Sequence, residues 1–268
     1  MKSNAVKIIL CTFFFIGGMM FARAMQVDYI SFKPSVGAFS LSADGRVATI
    51  CVDTADYKGV RLAARNLGTD IGRVTGTAAD VSLSLSSERG AVVVGTIGRN
   101  RQIDEWAKQG KLDVSAIEGK WESYLIQTVD GNLVIAGSDK RGTIFGIYDL
   151  SEKIGVSPWH YFADVPAQRH AALYVKPGRY VQDSPKVKYR GIFLNDEWPS
   201  LGGWASKKFG GFNSRFYAHV FELLLRLKAN YMWPAMWASS FYEDDPANGQ
   251  LADDMGIVMG TSHHEPMM

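Results

Sequence analysis

Hydrophobic and polar positions between residues 25 and 180 alternate between the two periods that mark strands and helices. Short apolar runs at residues 45–52 and 91–94 are typical of buried strands, and residues 81–85 alternate with serines as a half-buried strand does. Between them, apolar residues recur at helical spacing after a potential cap at Asp56. A second helix is predicted around residues 103–109. The pattern predicts a small α/β domain over residues 25–180.

A hairpin and a further helix complete this region. Asp130 and Gly131 separate two apolar runs, and this dipeptide favours a two-residue hairpin turn. A helix follows over residues 144–154. The glycine-rich segment before it, residues 138–143, has neither the Rossmann glycine spacing nor the lysine-serine pair of a P-loop. We therefore predict close helix packing there and no nucleotide site. The proline-bearing stretch 156–185 is predicted to connect two domains.

The second half of the chain begins a repeating pattern of strands and helices. An apolar strand at residues 191–194 precedes a long loop that reaches residue 211. The helix that follows has an apolar stripe at Phe216, Val220, Leu223, Leu224 and Leu227. Two more strands are predicted at residues 231–237 and 257–260, and the acid-rich loop between them is predicted to contain a short helical segment at best. This order predicts that residues 187–268 form about three strands of a (β/α)8 barrel.

Polar and aromatic residues follow each of these strands, where an α/β barrel places its active site. They are Asn195 and Asp196 after the first strand, Trp237 after the second, and His263, His264 and Glu265 after the third. Carboxylates beside tryptophan favour sugar chemistry, because glycosidases use a pair of carboxyl groups across the scissile bond. The candidate carboxyl groups are those of Asp196, Glu197 and Glu265.

The same residues favour metal binding less well. His263 and His264 lack the His-Glu-x-x-His spacing of a zinc helix, and adjacent residues on a strand end point to opposite faces. We expect one of the two to face the site, where it can bind a substrate carboxylate. The acids at 243–245 and 253–254 lack the spacing of an EF-hand and predict a solvated loop. His219 is predicted to lie on the polar side of its helix.

The amino-terminal residues predict where the protein is located and change its formal net charge when they are removed. Residues 1–24 combine a basic start, an apolar run and a small-x-small ending, which is typical of a secretory signal peptide. Their removal takes away three positive charges and no acid, which changes the formal charge from +2 to −1. Neither value favours nucleic acid as a partner. Cys51 would then be the sole cysteine, without a disulfide partner. We predict a secreted or periplasmic protein, free of the membrane after signal removal.

Four segments of the chain resemble glycoside hydrolase family 115. They are YRGIFLNDEWP at residues 189–199, ANYMWPAMW at 229–237, GTSHHEPM at 260–267, and the glycine-bearing stretch at 137–155. This resemblance covers essentially residues 25–268. It implies an inverting, exo-acting xylan α-1,2-glucuronidase that releases glucuronic acid, often 4-O-methylated, from glucuronoxylan or acidic xylo-oligosaccharides. It also implies no metal or other cofactor, and homodimers among full-length relatives.

The resemblance also implies roles for individual residues. Asn195 and Asp196 match active-site positions after the first barrel strand. We assign the catalytic role to Asp196, and substrate binding to Asn195, Trp237, His263, His264 and Glu265. The family continues through five further barrel strands and later domains, which would carry the remaining acid or base. Since three strands cannot close a barrel, we expect the 268-residue chain alone to be an inactive fragment.

Two alternatives stay open at this stage. Another α-glucuronidase family and the hexosaminidase-like exo-glycosidases share a similar small α/β domain before a barrel. A secreted, non-catalytic carbohydrate-binding remnant would instead use Trp198, Trp204 and Trp237. Retardation of the chain by glucuronoxylan in a gel, without hydrolysis, would favour this second class.

Overall fold

A computed structural model describes residues 28–84, 89–234 and 239–261 of the chain. The predicted signal peptide lies outside these residues. Within them, no helix has the length and apolar character needed to cross a membrane. The strands are β1 Ile30–Ser31, β2 Phe39–Ala43, β3 Arg46–Val47, β4 Ile50–Val52, β5 Val81–Ser82, β6 Val92–Thr96, β7 Tyr124–Val129, β8 Asn132–Gly137, β9 Leu173–Val175, β10 Arg179–Gln182, β11 Gly191–Leu194, β12 Tyr231–Pro234 and β13 Val258–Met259. The α-helices are α1 Lys58–Thr75, α2 Arg101–Lys108, α3 Lys140–Lys153, α4 Leu201–Phe209, α5 Ser214–Arg226 and α6 Ala247–Met255, and a 3₁₀ helix spans Pro158–His160.

A six-stranded sheet in the order β10-β7-β8-β6-β4-β5 organises the first region. Strands β8, β6, β4 and β5 are parallel, whereas β7 and β10 are antiparallel additions. Alternate residues of β6 face opposite sides. Val92 and Val94 lie in the core that α1 and α3 cover, and Val93 packs with Ile103 and Trp106 of α2. The α/β character predicted for this region is confirmed.

The predicted hairpin forms between β7 and β8. Asp130 and Gly131 both have positive φ values, 50° and 81°, as a tight turn between twisted strands requires. Helix α3 begins four residues earlier than predicted, because the Asp139 side chain accepts a hydrogen bond from the backbone N–H of Gly142 and caps it.

The stretch at residues 156–185 is more than the predicted connection between domains. Strand β9 inserts between β1 and β2 in a second, small sheet of order β1-β9-β2-β3, and β10 pairs with β7 at the edge of the large sheet. These strands have three and four residues. Such short segments are recognisable only by their partners.

The second region contains the predicted parallel strands in the order β11-β12-β13. The loop predicted at residues 195–211 is wrong in part, because α4 forms within it and ends at Gly210. Gly202 and Gly203 lower helix propensity and hide this helix from a sequence pattern. Gly202 is needed there, since a Cβ atom would lie 2.5 Å from the carbonyl oxygen of Asp196.

Helix α5 joins the two regions through a shared apolar core. Its Phe216 and Leu224 belong to the same buried cluster as Ile144 and Ile147 of α3. The predicted apolar stripe is confirmed except at its end, where Leu227 is 43% exposed. The acid-rich segment predicted as a loop contains the short helix α6 at Ala247–Met255.

His219 is not a free surface residue. Its ring stacks on that of Tyr161 at 3.8 Å between centroids, and Lys208 lies over the same Tyr161 ring. Burial and the nearby Lys208 charge hold the pKa of His219 below its usual value. Burial, with Arg226 and Arg73, likewise lowers the pKa of His160.

These two histidines predict acid sensitivity. Because the pKa of each histidine is lower in the folded state, the unfolded chain binds more protons as the pH falls. The contribution of these histidines to the free energy of unfolding is therefore complete above the usual histidine pKa of about 6.5 and is lost as the pH falls below it. We expect the urea midpoint to fall between pH 7 and pH 5, and to fall less in the double variant His160→Gln, His219→Gln. Equal pH slopes for the two proteins would contradict this assignment.

A buried glutamate ties the first region to the starts of the parallel strands. Glu122 accepts hydrogen bonds from Arg141 Nε (2.5 Å), Arg190 Nη2 (2.6 Å) and Asn230 Nδ2 (2.6 Å). Arg190 directly precedes β11 and Asn230 directly precedes β12. Arg141 also donates to the Gly256 carbonyl oxygen, shortly before β13. One carboxylate thus links the amino-terminal ends of all three strands to the large sheet.

Candidate active site

Asp196 lies at the carboxyl end of β11 and is 2% exposed. Its Oδ2 accepts a hydrogen bond of 2.7 Å from Ser239 Oγ. Ser239 lies on the segment after β12, and the parallel register pairs Leu194 with Pro234 at the ends of the two strands. The carboxylate is therefore held between the loops that follow two neighbouring strands, which is where an α/β barrel carries its chemistry.

Tyr217 of α5 is a buried residue whose pKa is influenced by the charge of Asp196. Its side chain is buried, and burial together with the carboxylates of Asp196 and Asp244 raises its pKa well above the usual value. The phenol consequently stays protonated and neutral beside Asp196. Sequence reasoning missed both Tyr217 and Ser239. Tyr217 adjoins the apolar stripe of its helix, and no local pattern relates either residue to Asp196.

Asn195 and Glu197 have different surroundings from Asp196. Asn195 is half-buried, and its Oδ1 accepts a hydrogen bond from the backbone N–H of Glu197 at 3.3 Å. Asn195 thus supports the turn that presents Asp196. Glu197 is exposed to solvent. The predicted pair Asn195 and Asp196 lies together, and Trp237, His263, His264 and Glu265 lie outside the described residues.

Two of the predicted sugar-stacking tryptophans differ in role. Trp204 is 37% exposed, and its ring packs against those of Phe209, Phe216 and Phe162. That set of contacts makes Trp204 part of the apolar packing around α4 and α5. Trp198 is 64% exposed, two residues beyond Asp196. It is the better placed of the two to meet a ligand.

The acidic residues of the 242–254 segment stabilise local structure. Asp245 accepts hydrogen bonds from the backbone N–H groups of Ser214 and Ala247, and these bonds lower its pKa. Asp254 forms an ion pair of 3.1 Å with Lys58 of α1. Within the described ranges, no group of three histidine, cysteine or acidic side chains could hold a metal ion.

Comparison with known proteins assigns this site to a family. Residues 182–268 match the family model described as glycosyl hydrolase family 115. The matched segment contains Asp196, Tyr217 and Ser239. A comparison with curated protein sequences found no match.

Two solved structures place the fold. One is a family GH115 4-O-methyl-α-glucuronidase, BtGH115A, with specificity for decorated arabinogalactans. It shares 33% sequence identity with this chain at a TM-score of 0.72, and the match covers 84% of this chain and 30% of that one. The other is a chitobiase of Flavobacterium johnsoniae. It shares 12% sequence identity with this chain at a TM-score of 0.50, and the match covers 88% of this chain and 33% of that one. The second shows a likeness of fold alone. The chain spans about a third of the length of these structures. The resemblance predicted from the motifs is confirmed, and residues 182–268 belong to glycoside hydrolase family 115.

Proposed function

We infer that this chain is part of an exo-acting α-glucuronidase that removes glucuronic acid, with or without its 4-O-methyl group, from a branched plant glycan. One observation carries the proposal. Asp196 is a buried carboxylate at the carboxyl end of a parallel strand, inside the segment matched to the family. The likeness to a 4-O-methyl-α-glucuronidase at 33% identity supports the choice of sugar.

Ser239 Oγ donates a hydrogen bond to Asp196 Oδ2 and so fixes the orientation of this carboxyl group. In an inverting glycosidase, one carboxylate activates water on the side of the sugar opposite a protonated carboxyl group. We propose that Asp196 contributes to this pair and that Asn195 orients the substrate. Trp237, His263, His264 and Glu265 are proposed substrate contacts, and a histidine there would bind the uronic acid carboxylate.

The glycan and the location are part of the same proposal. Glucuronoxylan and acidic xylo-oligosaccharides are the proposed substrates, with decorated arabinogalactan as the alternative because the solved relative has that specificity. The amino-terminal pattern supports secretion or a periplasmic location. We further propose the first strands of a (β/α)8 barrel in β11, β12 and β13, inverting chemistry without a cofactor, and homodimers in full-length form.

The test compares the 268-residue chain with the native-locus protein, meaning the polypeptide expressed from its natural gene with whatever codons follow codon 268. Uronic acid released from glucuronoxylan and from decorated arabinogalactan is quantified. We expect no release by the 268-residue chain, because its three described parallel strands form an open sheet, and we expect release by a native-locus protein that carries the remaining barrel strands. Release by the shorter chain would overturn its proposed inactivity.

The variant Asp196→Asn tests the proposed catalytic residue. We expect it to lower release by the native-locus protein by about a hundredfold or more, since general acid or base catalysis contributes about that much. Asp183→Asn is the control, because Asp183 lies on the surface beside Lys120 and should leave activity unchanged. If the Asp196→Asn variant is as active as the wild type, Asp196 is not a catalytic residue. Absence of any uronic acid release by the native-locus protein would overturn the proposed function.

A further inference from the structure

We propose that Trp198 is a stacking platform for the glycan sugar that carries the uronic acid, and that it selects among glycans. The inference rests on the proposed function and deepens it. Trp198 follows Asp196 by two residues on the loop after β11, so both side chains belong to one strand end. The loop is closed by a hydrogen bond from the backbone N–H of Gly202 to the Glu197 carbonyl oxygen, at 3.2 Å.

The indole has a built support on one side. A Cβ atom at Gly202 would lie 2.7 Å from Trp198 Nε1, and one at Gly203 would lie 3.4 Å from its Cε3. The two glycines therefore leave room for the ring along the first turn of α4. A side chain at position 202 would displace it. At 64% exposed, the ring presents an apolar surface to solvent.

Packing needs do not account for this exposure. Among residues 28–84, 89–234 and 239–261, Trp204 pairs with three aromatic rings, whereas Trp198 pairs with none. Gly202 has low helix propensity, and its place in α4 accommodates Trp198 at a cost in helix stability. A large exposed aromatic ring held by its neighbours offers contact area with little loss of side-chain entropy on binding.

The difference in burial between the two side chains indicates which sugar the ring meets. Asp196 is 2% exposed, whereas Trp198, two residues further along the same loop, is 64% exposed. In the proposed enzyme the terminal uronic acid binds at the buried Asp196, so the next sugar of the glycan lies on the more exposed side, where Trp198 is. The ligand class for Trp198 is therefore a neutral pyranose of the glycan, xylose or galactose, bound through the apolar face of its ring.

Binding by the native-locus protein tests the inference without needing turnover. Its migration is measured in gels with and without glucuronoxylan or decorated arabinogalactan, for wild type, Trp198→Ala, Trp198→Phe and Trp159→Ala. Trp159 is the matched control, since it is 45% exposed on the 3₁₀ helix. We expect Trp198→Ala to weaken binding by roughly tenfold, Trp198→Phe to retain most of it, and Trp159→Ala to bind as wild type. Equal urea midpoints would show that the variants fold.

The outcomes separate this inference from the proposed function. If the glycan retards the wild type but not Trp198→Ala, and no uronic acid is released, the stacking role of Trp198 would be supported and the proposed enzymatic function would be rejected. If uronic acid is released, Trp198→Ala should raise KM about tenfold for the polymer with kcat unchanged, and should leave KM for methyl α-glucuronoside as it is. Wild-type retardation that survives in Trp198→Ala, or no retardation of the wild type by either glycan, would overturn the inference.

Discussion

Replacing Glu122 by alanine should lower the free energy of unfolding by about 3–5 kcal/mol, the usual result of removing one partner from a buried charge cluster. The carboxylate is buried and accepts bonds from Arg141, Arg190 and Asn230. Its removal leaves two guanidinium groups close together without their counter-ion. The measurement is urea unfolding followed by tryptophan fluorescence.

The control for Glu122 is Asp183→Ala. Asp183 forms its ion pair with Lys120 at the surface, where such pairs contribute less than about 1 kcal/mol. We expect the Asp183 variant to unfold near the wild-type midpoint. A Glu122 variant that also does so would show that the junction does not depend on this carboxylate. Because Glu122 joins the starts of β11 and β12, its loss should also disturb the contact between Asp196 and Ser239 at their ends.

Arg226→Met should have an effect of similar size, about 3–5 kcal/mol. Arg226 is buried at the end of α5, where its Nη2 lies 2.8 Å from Asp70 and its Nε 2.8 Å from Glu222. The guanidinium also lies over the Tyr148 ring at 4.5 Å. Methionine fills similar space but leaves the buried Asp70 carboxylate with Arg73 as its remaining cation. Urea unfolding again provides the measurement.

Two further variants identify the cause of that loss. Lys111→Met removes an exposed pair with Asp130 and should change stability by less than about 1 kcal/mol. The double variant Asp70→Asn, Arg226→Met should recover part of the stability, because the Asp70 carboxylate that loses its buried partner Arg226 is then neutralised as well. A double variant less stable than Arg226→Met alone would show that packing, and not the charge of Asp70, dominates at this position.

Local features of the sequence were enough to predict much of the fold. The Asp130-Gly131 turn, the strands on either side of it and the apolar stripe of α5 all arise from contacts between near neighbours in the chain. Helix α4 was missed because its two glycines serve the packing of Asp196 and Trp198, and this need overrides helix propensity. Strands β9 and β10 were missed because pairing with distant strands, not their own composition, makes them extended.

By itself the sequence determined the α/β class, the parallel strand that leads to Asp196, and the family, because apolar periodicity and contiguous motifs are properties of short segments. Only the tertiary structure decided that Ser239 binds Asp196, that Glu122 joins three strands, and that Trp198 is exposed whereas Trp204 is packed against other aromatic rings. The physical reason is the same in each case. These contacts join residues far apart in the chain, and burial and hydrogen-bond partners exist only once the chain has folded.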